Sequence, residues 1–117
     1  MASSSSFNFA AWDKELDSPG ADIEKLYQQI LKESKEMKEE SVEIWWRLAR
    51  ATFMVTFNYI YEGPGYHDAI KAKTNEACTY AGKAILLEPN HFEANMWMAK
   101  CAGKVAILEL DKAKQAQ

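Results

Sequence analysis

Apolar residues recur along this chain at helical spacing, and no segment alternates in the two-residue rhythm of a half-buried strand. The fold is therefore confined to helices before any other property is weighed. Ile23, Leu26, Tyr27, Ile30 and Leu31 fall at i, i+3, i+4, i+7 and i+8, one stripe of an amphipathic helix. Ile70, Ala77, Ala81, Ala84 and Ile85 share a second helical face. Breakers are few and clustered at Asp17-Ser18-Pro19-Gly20, Gly63-Pro64-Gly65 and Pro89-Asn90, so the elements between them are long. Ser41 serves as N-cap for a Trp-rich helix, and Asp68 opens the next. Asn90, with Glu93 three residues on, caps a last helix predicted to run from His91 to about Ala113. Gly103 weakens that helix by about 1 kcal/mol relative to Ala.

These punctuation marks divide the chain into residues 1–20, a flexible N-terminal segment carrying a short apolar cluster (Phe7, Phe9, Ala10, Trp12), and residues 21–117, a helical domain. Four main helices are predicted, with the N-terminal cluster as a possible short fifth. Lys32 to Glu40 mixes charges of both signs and reads as a solvated helix end and loop. Val42 to Tyr61 approaches the length of a bilayer span, but Glu43, Arg47 and Arg50 place three charges on one face of it. It reads as a buried core helix, and no integral membrane segment is expected. With 48% hydrophobic residues and a net charge of −3, the body of the chain should be ordered. That charge also disfavours a nucleic-acid binder that works by neutralising phosphates. Two cysteines, Cys78 and Cys101, make no disulfide framework and suit a reducing compartment.

The spacing carries a repeat. Trp45-x-x-Leu48-Ala49-x-Ala51 matches the opening of a tetratricopeptide-type repeat, and Ala77-x-x-x-Ala81-x-x-Ala84-x-x-x-x-Pro89 matches its second helix and closing proline. Small residues let antiparallel helices approach, and Trp and Leu fill the gap between neighbouring pairs. The pattern restarts at Ala94, Met98 and Ala99. A standard repeat has about 34 residues; the stretch from Trp45 to Pro89 is longer, with its surplus around Tyr59 to Lys73, so one helix should be longer than usual. The predicted fold is all-α: antiparallel helix pairs forming a fragment of a tetratricopeptide-like right-handed solenoid.

The string Trp46-Arg47-Leu48-Ala49-Arg50-Ala51, followed by Ala81 to Asn90 (AGKAILLEPN) and Met96 to Ala102 (MWMAKCA), resembles the regulator of microtubule dynamics family. The likeness spans Ala21 to Gln117; Asn95-Met96 departs from the His-Lys pair that this family tends to show. The resemblance implies a cytoplasmic protein of the cytoskeleton, associated with spindle microtubules and spindle poles and needed for chromosome segregation. It also implies further helical repeats beyond Gln117, and some relatives sit instead on mitochondria.

No residues suggest catalysis, a cofactor or a metal. Cys78, Cys101, His67 and His91 lack the close paired spacing of a zinc site, and Gly63-Pro64-Gly65 lacks the Lys-Ser/Thr of a phosphate loop. The chain is expected not to be an enzyme. Trp46, Arg47, Arg50 and Trp97 are the candidate protein-binding residues: a basic strip on a groove-lining helix with aromatic anchors, suited to an acidic peptide. The blander reading of Arg47 is an intrahelical pair with Glu43 at i, i+4. Charge alone does not favour acidic tubulin tails, because residues 1–62 carry seven basic against eleven acidic side chains and residues 63–117 seven against six. Lys71, Lys73, Lys83, Lys100 and Lys104 are candidates for a local basic patch. Tubulin, microtubules or spindle-associated proteins are the expected partners. Val105, Ile107, Leu108 and Leu110 suggest a dimer through an uncapped C-terminal helix. The alternative is a lipid-binding or organelle-tethering module with an apolar cavity near Phe53, Phe57 and Tyr61.

Overall fold

The computed structural model describes residues 9–58 and 65–115. Five α-helices follow one another: α1 (Phe9–Asp17), α2 (Ile23–Glu36), α3 (Val42–Val55), α4 (Tyr66–Leu87) and α5 (Phe92–Gln115), with a 3-10 turn at Thr56–Asn58 after α3. No strand occurs among the described residues. Tyr61 and the Gly63-Pro64 breaker lie outside them.

Local chemistry sets the helix starts. The Asp22 carboxylate accepts from the Lys25 amide at 3.0 Å and caps α2, whose Leu26, Tyr27 and Ile30 turn inward. Ser41 Oγ accepts from the Ile44 amide at 3.3 Å and caps α3. Helix α4 begins two residues before the predicted Asp68, on Gly65, whose φ of +90° is a left-handed conformation that glycine adopts without a Cβ penalty. At α5 the cap shifts by one residue: His91 Nδ1, not Asn90, accepts from the Ala94 amide at 3.2 Å. The Asn95 amide group then donates to the Pro89 and His91 carbonyls at 2.9 and 2.8 Å and fixes the α4–α5 turn. The surplus length falls in α4, which has 22 residues.

Side-chain partners fix the packing. Lys71 and Asp68 near the start of α4 meet Glu109 and Lys112 near the end of α5, so these helices run antiparallel. Trp45, early in α3, stacks on Tyr80, late in α4, with ring centroids 5.8 Å apart, which makes α3 and α4 antiparallel too. Trp46, Phe53 and Thr56 meet His91, Trp97 and Lys104 in the same order, so α3 and α5 run parallel. Asp13 and Asp17 meet Arg47 and Arg50 likewise, so α1 runs parallel to α3. The result is two layers, α1, α3 and α5 in one and α2 and α4 in the other. Helix α3 sits centrally and buries Ile44, Trp45, Trp46, Leu48, Ala49, Ala51 and Val55.

The apolar cluster near the start forms the short fifth helix. Within residues 9–17, Trp12 and Leu16 are buried in the common core, so α1 packs on the body. Phe9, Trp12 and Leu16 fall at i, i+3 and i+7, an amphipathic signature too short to outweigh the Ser-rich residues before it.

Candidate functional site

The candidate residues Trp46, Arg47, Arg50 and Trp97 do come together, in the layer formed by α1, α3 and α5, but not as an open basic strip. Arg47 is 9% exposed. Its Nε and Nη2 donate to the two carboxylate oxygens of Asp13, both at 2.9 Å, and its Nη1 donates to Glu43 at 2.7 Å. The guanidinium also lies 4.5 Å from the Phe9 ring centroid and 4.2 Å from that of Trp46. Arg47 is thus saturated by its own chain and cannot present a free charge to a partner. The intrahelical Glu43–Arg47 pair suggested by the spacing is present.

Trp46 is buried, with its indole N–H on Glu43 at 2.9 Å and its ring beside His91. Burial alone would raise the Glu43 carboxyl, but the bonds from Trp46 and Arg47 outweigh it and hold Glu43 below the usual carboxylate range. Trp97 is also buried, packed beside Phe53. Arg50 differs from Arg47. Asp17 accepts from its Nη2 alone, and its Nε is buried with no acceptor. The Trp97 indole N–H is a second buried donor without an acceptor, in a ring whose centroid is 5.8 Å from the Arg50 guanidinium carbon.

The lysine patch separates into paired and unpaired members. Lys71 pairs with Glu109 and Lys73 with Glu76. Lys83 lies over the Trp45 ring. On α5, Lys100 stands 4.5 Å above Trp97, and Lys104 stands 5.1 and 4.1 Å from the rings of Phe53 and Phe57. Neither has a carboxylate partner among the described residues. Lys104 donates to Thr56 Oγ1, and burial pushes its ammonium below the usual lysine range. These two cations were part of the predicted patch but not of the predicted binding set. Their spacing of four on α5 was the available signal.

The cavity suggested near Phe53, Phe57 and Tyr61 takes a different form. Phe53 packs on the core, whereas Phe57 is 64% exposed, and Lys104 sits on the pair, so no closed apolar space is built from these two rings. Tyr61 lies outside the described residues.

In the other layer, Glu76 accepts from Tyr27 Oη, from Tyr80 Oη at 2.8 Å and from Lys73 Nζ at 3.0 Å. Burial opposes its charge, yet these bonds hold its carboxyl below the usual range. This cluster ties α2 to α4. Burial, with Cys78 beside it, pushes the Cys101 thiol up to about 12, which leaves little thiolate at neutral pH. Among the described residues, no group of three or more His, Cys, Asp or Glu is placed to hold a metal ion. No described helix is long and apolar enough to cross a membrane.

An all-α body of helix pairs in two layers, with cations and aromatic rings along the seam of two parallel helices, defines a helical-repeat type of protein. Within that class the family can be stated. The sequence pattern described as regulator of microtubule dynamics protein 1-3 matches residues 9–117, and the chain belongs to that family. The match begins at the first residue of α1, in agreement with the packing of that helix. No curated protein and no solved structure matches the chain.

Proposed function

We propose that this chain is a non-catalytic, tetratricopeptide-like interaction module that associates with microtubules or spindle-associated proteins and so regulates microtubule dynamics. On this reading it acts in the cytoplasm, at the spindle and its poles, and contributes to chromosome segregation. The observation that carries the reading is the family match across residues 9–117. The seam between α3 and α5 supports an interaction role, because its lysines stand on aromatic rings without acidic partners among the described residues. The lipid-binding, mitochondrial alternative gains no comparable support, since Phe53 packs on the core and Phe57 is exposed.

Co-sedimentation with polymerised microtubules over a range of salt tests the proposal. Pelleting at low salt that declines as salt rises is expected. Absence from the pellet at every salt concentration, both alone and with a cell extract, would overturn it. The same reading assigns self-pairing to the exposed face of α5, where Phe92, Ile107 and Leu110 are uncovered.

A further inference from the structure

The two arginines of α3 present the same donor edge and are used differently. At Arg47, a carboxylate fills both Nε and Nη2. At Arg50, the Asp17 carboxylate occupies Nη2 only and is itself 70% exposed, while Nε is left buried and without an acceptor. A carboxylate approaching that edge squarely would fill both donors, as Asp13 does at Arg47. The neighbouring Trp97 indole N–H is a second buried donor in the same state, in a side chain 92% removed from solvent. Buried donors without acceptors are costly, so an acceptor reaching this end of the seam is favoured.

The seam continues in the same chemistry. Lys100 stands 4.5 Å from the Trp97 ring centroid, and Lys104 follows one helical turn along, over Phe53 and the exposed Phe57. Four residues of α-helix, the Lys100–Lys104 spacing, advance about 6 Å. Alternate side chains on one face of an extended peptide repeat at about 6.6 Å. An extended segment with a carboxylate at every second residue therefore keeps step with cations placed one turn apart. The aromatic rings beneath provide a floor for the intervening side chains and lower the local dielectric around each pair.

We infer that the α3–α5 seam, with Arg50 and Trp97 at one end and Lys100 and Lys104 along it, is a docking groove for an extended acidic segment of a partner protein. Asp17 acts there as a cis competitor: its single bond to Arg50 holds the guanidinium until an incoming carboxylate takes both donors. This rests on the reading of the chain as an interaction module and adds the chemistry of the partner.

The probe is a synthetic peptide of about ten residues alternating glutamate with threonine, chosen to favour extension. It is titrated against the full chain by calorimetry, with a glutamine–threonine peptide as control. Saturable binding of the glutamate peptide alone is expected, weakening with salt. Lys100→Glu, at an exposed position that leaves the fold intact, should reduce affinity roughly tenfold, and Lys104→Gln should add to the loss. Asp17→Asn removes the competitor and should tighten binding roughly threefold, a gain that damage to the fold cannot produce. Equal binding of both peptides, or affinity indifferent to Lys100→Glu and Asp17→Asn, overturns the groove. Microtubule pelleting distinguishes the two readings. A peptide that binds as described by a chain that never pellets keeps the groove and removes the microtubule partner. Pelleting unchanged by Lys100→Glu with Lys104→Gln keeps that partner and removes the groove.

Discussion

At Arg47, one side chain collects two carboxylates, a backbone carbonyl and two aromatic rings, so its geometry as well as its charge is in use. Arg47→Lys keeps the charge but loses the planar fork to Asp13 and the stack on Trp46. It is expected to cost about 1–2 kcal/mol, read from the urea midpoint at unchanged slope. Glu76 makes a complementary prediction with pH. Its carboxyl is held below the ordinary value of 4.5, as is that of Glu43. Both favour the ionised form when folded. Their contribution to stability is therefore complete above the ordinary carboxylate range and is lost as pH falls through the depressed folded values. Thermal melts should show Tm falling on acidification below about pH 5, and Glu76→Gln should flatten that fall. Which of these contacts sequence alone can reveal follows from separation along the chain. Glu43 and Arg47 are one turn apart and were readable from spacing. Asp13 and Arg47 are 34 residues apart, and Tyr27 and Glu76 are 49 apart, so no local pattern links them.

Among the helices, the least predictable is α1, and its attachment can be measured. Nine residues do not make a stable isolated helix. The segment is ordered by burying Trp12 and Leu16 and by the ion pairs from Asp13 and Asp17. Trp12→Ala is expected to cost about 3 kcal/mol and to raise amide exchange across residues 9–17 well above that of α3. Equal protection of α1 in the variant would show that the ion pairs suffice. Helix interiors elsewhere carry two glycines that no turn requires. A Cβ at Gly82 would meet only Met98 Cε at 3.5 Å, an ordinary contact, and one at Gly103 would meet nothing within 4 Å. Gly82→Ala and Gly103→Ala should each stabilise by about 0.5–1 kcal/mol, and together raise Tm by several degrees. The helices themselves were readable because caps and stripes are local: Ser41 caps α3 as its position suggests. The starts of α4 and α5 were not, because Gly65 enters through a left-handed turn and the His91 imidazole takes the capping role that Asn90 offers by residue type.

The whole molecule inherits its layering from the repeat: helices that open a pair lie in one layer and those that close it lie in the other. That arrangement leaves α5 covered on one side by α3 and α4. On its other side Phe92, Ala99, Gly103, Ala106 and Leu110 are exposed at spacings of seven, four, three and four, the seam of an antiparallel or parallel helix pair. Phe92 and Leu110 are 72% and 61% exposed, and the positions between them are small, so another helix can approach closely at the middle of the stripe. Self-pairing in the antiparallel sense, centred near Gly103, sets Ala99 against Ile107, small against large. The same arrangement brings Glu93 beside Lys114 at both ends, whereas a parallel pair sets Glu93 against Glu93. Charge and volume therefore favour the antiparallel sense for any self-pairing of this face. Sedimentation equilibrium should detect dimers whose fraction rises with concentration, and Leu110→Glu, at a position already in solvent, should leave helicity unchanged while returning the chain to monomer. A chain that stays monomeric at the highest soluble concentration would overturn the self-pairing.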